Sequence, residues 1–142
     1  MISGNMGSGK TLFIETLSKK IKNYQGDITY DDKNLKSYSA KKYYNDVAVV
    51  SQVSTPPFFK GVKEFIKGEI CKRHNDDTSE KKFENIVTMM DIKYLLDKKV
   101  RHLTPSQFRW VDLASKIASY PKVLFIDELE LHLSKINMDS LS

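Results

Sequence analysis

Eight residues near the start of the chain, Gly4-Asn5-Met6-Gly7-Ser8-Gly9-Lys10-Thr11, fill every fixed position of the pattern G-x-x-x-x-G-K-[ST]. Glycines in such a run let successive backbone N–H groups turn inward on phosphate oxygens, and the helix that follows adds its positive end. Lys10 then reaches the β- and γ-phosphates, and the Thr11 hydroxyl is a ligand for Mg²⁺. The plain alternative is a flexible Gly/Ser turn; a loop opening directly onto a helical pattern argues against it. At the other end, Val123-Leu124-Phe125-Ile126 is an apolar run ending in Asp127-Glu128. A buried strand ending in one acid is common. Two acids opposite a phosphate loop are specific: Asp127 to hold Mg²⁺ through water, Glu128 to polarise an attacking water. Glu128 also has a bland reading, a solvated charge at a strand end.

These groups meet only if particular elements carry them. Phe13, Ile14, Leu17 and Ile21 stand at helical spacing and predict a helix from Lys10 or Thr11 to about residue 22, with Lys19, Lys20 and Lys22 near its C-terminal end. Residues 26–30 and 46–51 read as strands, the second apolar enough to be buried on both faces. Residues 61–100 read as helical, broken between Arg73 and Ser79, with Phe83, Ile86, Met89 and Met90 as one apolar face. A helix from Pro105 to Ser119 and a buried strand from Lys122 to Asp127 complete the order. Strands alternating with helices imply a layered α/β domain with a mainly parallel sheet. The strand that should feed the phosphate loop is reduced to Met1, Ile2 and Ser3.

The 142 residues, with 23 Lys plus Arg against 18 Asp plus Glu, suit one domain or part of one. The longest apolar stretch, Val123–Ile126, is far short of the roughly 20 residues that cross a bilayer as a helix, so a membrane role is expected to be peripheral. Cys71 is the single cysteine, which leaves no disulfide framework and points to a reducing compartment; the N-terminus has no secretory pattern. The net charge of +5 permits contact with nucleic acid or anionic lipid without demanding it. Tyr38, Lys41, Lys42, Tyr43 and Tyr44 mix basic and aromatic groups as single-strand binders do, but the simpler reading is an amphipathic surface segment with solvated charges.

Between the two motifs the chain resembles the nucleotide-binding domain of ABC-type ATPases. Gly26-Asp27-Ile28-Thr29-Tyr30 followed by Asn34-Leu35 looks like the family's hairpin after the first helix. Gln52 falls where the family places its Q-loop glutamine, which contacts Mg²⁺ and the attacking water and senses the partner domain. Leu103-Thr104-Pro105-Ser106-Gln107 stands where the family carries Leu-Ser-Gly-Gly-Gln. The ordered set of four motifs covers nearly the whole chain, and measured against the family pattern a fragment or a reduced homologue is expected.

The departures carry consequences of their own. In the family the signature of one subunit caps the γ-phosphate held by another, with a Ser hydroxyl and glycine N–H groups. Thr104 keeps the hydroxyl and Gln107 the last position, but Pro105 has no N–H and Ser106 adds a side chain where backbone should approach. Locally the change is coherent: Thr104 suits an N-cap, Pro105 the first helical position, and Thr-Pro-Ser-Gln is a capping box. The helix should form while its grip on a second subunit's nucleotide weakens. After the acids, Leu129-Glu130-Leu131-His132-Leu133-Ser134 keeps only Leu133 of the family's usual Pro-Thr-Ser-Ala-Leu-Asp, and a packing or surface role suits His132.

The resemblance implies an α/β fold with a P-loop NTPase core, a mainly parallel sheet and a small helical subdomain at about 60–103. It implies an ATP-binding subunit of an ABC transporter: an Mg²⁺-dependent ATPase, with Glu128, Gln52 and Lys10 in catalysis and Thr11, Gln52 and Asp127 at the metal. It further implies pairing with a second ABC ATPase domain and a membrane-spanning subunit, on the cytoplasmic face of the cell membrane. Phe58 and Phe59, just past Gln52, either pack between subdomains or line the groove that receives the membrane partner. An ABC-F-like translation factor, acting on ribosomes, and a catalytically weakened ATP-binding module are the alternatives. The short interval between Gln52 and Gln107 excludes a long coiled-coil arm there, and ribosome or nucleic-acid partners rank below the transporter.

Overall fold

The structure is a computed structural model and describes residues 5, 7–51, 54–74 and 76–127. Helix α1 runs Lys10–Leu17, shorter than its apolar pattern predicts. It stops because Lys19 takes a left-handed conformation, φ 61°, one residue past the Ser18 cap. Lys20 N–H then donates to the Glu15 carbonyl (2.9 Å) and Lys19 N–H to that of Thr16 (3.0 Å), the pair of bonds of a Schellman ending. Glycine normally fills that position. Here the lysine is compensated by its own side chain, whose Nζ donates to the Leu35 carbonyl at 2.8 Å and also to that of Tyr38. Lys20 and Lys22 therefore lie beyond the helix, not in its last turn.

A small hairpin follows, β1 (Thr29–Tyr30) antiparallel to β2 (Lys33–Asn34), turned by Asp31 and Asp32, both at positive φ. The segment read as an amphipathic surface segment with solvated charges forms the helix α2 (Ala40–Asp46), N-capped by Ser39, with Lys41 and Lys42 exposed and Tyr43 turned to the core. Its tyrosines are structural. Tyr43 is buried and donates its hydroxyl to the Leu17 carbonyl (2.5 Å), and Tyr44 donates to that of Ser18 (2.7 Å), so α2 satisfies the last carbonyls of α1. Tyr30 and Tyr38 stack edge-on nearby, with Tyr30 and Tyr43 centroids 5.5 Å apart. Rings packed in this way are not a platform for bases.

Strand β3 (Val47–Val50) pairs in parallel with β4 (Val123–Ile126), Val47 opposite Val123 and Val50 opposite Ile126. Asp127 N–H donates to the Val50 carbonyl at 3.0 Å and carries the pairing one residue further. Among the described residues this parallel pair is a sheet of its own, separate from the β1–β2 hairpin, so the expected mainly parallel sheet is represented by two strands in a mixed α/β chain that is mostly helical. Between the strands lie α3 (Val62–Arg73), α4 (Ser79–Met89) and α5 (Pro105–Ala118), with 3-10 turns at Lys93–Leu95 and Val100–His102.

The core forms where these helices meet. Val62, Ile66 and Ile70 recur every four residues along one face of α3, all fully buried. The buried face of α4 is Phe83, Ile86 and Val87, with Met90 next; Met89, assigned to that face from the sequence, is 52% exposed because it lies off the i, i+3, i+4, i+7 stripe. Helix α5 is buried on most sides, and its Trp110 indole N–H donates to the Met90 carbonyl at the end of α4 (3.1 Å). Phe58 and Phe59 do not pack between subdomains: they are 61% and 79% exposed and lean on each other, with the Arg101 guanidinium over the Phe58 ring.

Candidate functional site

The phosphate loop closes on the carbonyl of Asn5, which accepts Ser8 N–H at 3.1 Å and Lys10 Nζ at 2.9 Å. Left-handed backbone at Gly7 (φ 79°) and Gly9 (φ 86°) makes the curl possible, a conformation that an L side chain resists. Gly9 is also the N-cap of α1, so no side-chain hydrogen bond caps the start of the helix. In place of an internal acceptor, the loop offers a helix N-terminus, a mouth lined with glycine, and a lysine ammonium folded over it. That is an anion cradle.

In the first turn of α1, the half-buried Thr11 faces a small cavity of about 80 Å³ that it shares with Glu15, Ser18, Lys20, Ser51 and Asp127. A space of this size holds a few water molecules. The parallel pairing of β3 and β4 delivers Ser51 and Asp127 to the same edge, and Asp127 is 4% exposed. A hydroxyl and a carboxylate around a wet cavity are hard oxygen donors of the kind that hold Mg²⁺, whose remaining ligands come from phosphates and water. The residues present therefore fit the ion.

Gly4, Met6, Gln52 and Glu128 lie outside the described residues. Their neighbours do not: Asn5 and Gly7 flank Met6, Ser51 precedes Gln52, and Asp127 precedes Glu128. The structure thus brings Thr11, Ser51 and Asp127 together. It also adds residues that the sequence did not assign to the site. Lys20 Nζ donates to Ser51 Oγ at 2.7 Å, tying the end of α1 to the residue before Gln52, and Glu15 lines the cavity beside Asp127. No spacing rule could have found a pair 31 positions apart.

Thr104 to Gln107 do not line that cavity. They open α5 in the expected capping box: Thr104 Oγ1 accepts Gln107 N–H (3.1 Å), Gln107 Oε1 accepts Thr104 N–H (3.0 Å), and Pro105 occupies the first helical turn. Thr104, Pro105 and Ser106 are exposed. The Thr104 hydroxyl accepts a bond in the cap, which leaves its proton for an outside acceptor.

Further along, α5 is joined to α3 by a buried acid. Glu69 takes Lys116 Nζ at 2.8 Å and also pairs with Lys72. Burial alone would raise its carboxyl, but hydrogen bonds from Lys116 and then Lys72 outweigh this and hold it below the ordinary carboxylate range. Asp112, 3.8 Å from Lys116, is raised: burial dominates and the lysine only partly offsets it.

Comparison with known proteins places the chain in a family. The family model described as "ABC transporter" matches residues 1–130. The chain is 31% identical over 140 residues to the tyrosine transport ATP-binding protein of Clostridioides difficile (strain R20291), covering 89% of this chain and 55% of that protein. Among solved structures it is similar to the ATP-binding subunit of an ABC transporter, with a TM-score of 0.86, 16% identity, and coverage of 98% of this chain and 58% of that one. It is also similar to the dimeric post-hydrolysis ATP-binding cassette MJ0796 bound to ADP and Pi, with a TM-score of 0.81, 15% identity, and coverage of 97% and 63%. The chain spans 29%, 55% and 44% of the length of three curated relatives it matches.

Proposed function

The chain belongs to the ABC transporter family, and from that premise we propose that it binds ATP and hydrolyses it as the ATP-binding subunit of a transporter. The observation that carries the reading is the sharing of one cavity by Thr11, on the helix that the phosphate loop opens, and Asp127, at the end of β4. On this reading Gly4 to Thr11 wrap the phosphates, and Lys10 moves from the Asn5 carbonyl to the β- and γ-oxygens. Magnesium, when bound, would neutralise charge on those phosphates, with Thr11, Asp127 and Gln52 to hold it. Glu128 accepts a hydrogen bond from the attacking water and polarises it toward the γ-phosphorus, which keeps the reaction in line.

Thr104 to Gln107 would face the nucleotide of a second ABC domain; the cassette named above supports the pairing to the extent that it is dimeric. The helices at about 60–103 would act as the subdomain that passes closure to a membrane-spanning subunit, with the protein on the cytoplasmic face of the membrane. No helix among the described residues is long and apolar enough to cross a membrane. Pro105 supports a slowed enzyme: it sits in the first turn of α5 without an N–H to offer, so capping of a neighbour's phosphate rests on Thr104.

Two substitutions test this. In nucleotide-binding titrations Lys10→Ala should lose ATP. Glu128→Gln should keep ATP, lose turnover and, by size-exclusion chromatography, accumulate as a dimer. Unchanged turnover in the glutamine chain would remove Glu128 from the mechanism.

A further inference from the structure

A larger cleft, about 460 Å³, opens between the end of α1, α2, β3, α3 and α5. It is the size of a small-molecule site. Lys20, Lys41, Lys72, Arg73 and Lys116 line it, and Glu69 is the acid among them. Counting Asp112, which sits beside Lys116 at 3.8 Å, cations still outnumber carboxylates five to two.

How the cations are held matters more than their number. Buried Glu69 fixes the ammonium groups of Lys72 and Lys116 around one carboxylate. The Arg73 guanidinium donates to the carbonyls of Asn45 (3.1 Å), Tyr44 (2.9 Å) and Val47 (3.0 Å) and to Ser119 Oγ (2.9 Å). Those bonds take four of its five N–H groups to neutral acceptors, and Glu69 meets its charge only through space, without a hydrogen bond. Lys20 is likewise held by a hydroxyl, that of Ser51. A recess with positioned cations and excess positive charge focuses its field on whatever enters.

We propose that this cleft is a second anion site, separate from the phosphate loop, and that it takes a small ligand carrying phosphate with two or more negative charges. Several ammonium tips around one recess suit a compact tetrahedral oxyanion, whereas an acidic polypeptide needs a long groove. Ser18 and Lys20 line both this cleft and the cavity at Thr11 and Asp127, so its occupant reaches the first site through Lys20 and acts as a modulator there. The link to turnover rests on the ATPase reading; the binding itself does not.

The test is isothermal titration of inorganic pyrophosphate into the Lys10→Ala chain, where the loop has lost its lysine. Saturable heat of one-to-one stoichiometry is expected, weakening as salt is added. The further changes Lys41→Gln and Lys72→Gln, both at exposed positions, should weaken it by roughly tenfold or more, since each removes a charge near the ligand. A urea midpoint beside each titration reports whether the chain is still folded. Absence of saturable heat, or equal affinity with and without the two lysines, overturns the proposal. So does flotation with phosphatidylglycerol vesicles in the absence of pyrophosphate binding, which assigns the charge to a lipid surface. If Lys10→Ala still binds ATP while pyrophosphate depends on Lys41 and Lys72, the cleft stands and the phosphate-loop assignment falls.

Discussion

Thr104 is where structure and function can be separated by a single atom. Its side chain caps α5 and, on the proposed reading, also offers a proton to a neighbouring subunit's nucleotide. Thr104→Ala removes the bond to Gln107 N–H and frees the reciprocal arm from Gln107 Oε1. N-cap loss costs about 0.5 to 2 kcal/mol in general; because Thr104 is exposed and water replaces the missing acceptor, about 1 kcal/mol is expected here. For a chain of this size that lowers Tm by about 4 °C. Thr104→Asn, in contrast, supplies a strong N-cap oxygen but no hydroxyl. The asparagine chain should therefore unfold at the wild-type urea concentration yet turn over ATP at least about tenfold more slowly, the loss of one charge-assisted hydrogen bond in the transition state. Urea denaturation followed by circular dichroism, with steady-state phosphate release at saturating ATP, reads both quantities. Wild-type turnover in the asparagine chain would refute the trans role, and wild-type stability in the alanine chain would refute the cap.

Two further outcomes follow from charges buried in the fold. Glu69→Gln breaks the pair with Lys116 and should cost about 1 to 3 kcal/mol at pH 7, less than a fully buried pair because Lys72 is two-thirds exposed and Lys116 keeps Asp112. The Glu69 carboxyl is depressed in the folded chain, so its contribution is present above the ordinary carboxylate range and lost as pH falls through the folded value. The gap between the urea midpoints of the wild-type and Glu69→Gln chains should accordingly narrow in acid. Tyr43 is the opposite case: burial pushes its phenol up to about 12, so the folded state resists ionisation and loses stability as pH rises above roughly 10. Tyr43→Phe should flatten that alkaline loss, measured by urea midpoints at about pH 8 and about pH 10.5, at a cost of about 1 kcal/mol for the missing bond to Leu17.

Much of this was readable from residue order. The phosphate loop, the strand Val123–Ile126 and the capping box each rest on local chemistry: glycine at positive φ, an apolar run between polar neighbours, a Thr answered by Gln three residues later. What escaped depends on distant partners. The end of α1 was hidden because a lysine holds the left-handed position, and the carbonyls of Leu35 and Tyr38 that steady it are far along the chain. The hydroxyl bonds of Tyr43 and Tyr44 escaped because their acceptors, Leu17 and Ser18, lie at the end of another helix. At the site, the residues Thr11 and Asp127 that line one cavity were legible as candidates, but the Lys20 tie to Ser51 and the cation-lined cleft exist only once α1, α2, β3, α3 and α5 are assembled.

Helix α5 has 14 residues and so spans roughly 21 Å. Thr104 caps its outer tip, and a short connection joins its other end to β4, the strand that leads into Asp127. Whatever presses on the tip therefore leans on the strand that carries the acid. A rod buried on most sides by side chains from α3 and α4 cannot bend to absorb the push. In a paired assembly, contact at one mouth would arrive at the other as a tilt, so each half would feel through its own backbone whether its neighbour is loaded.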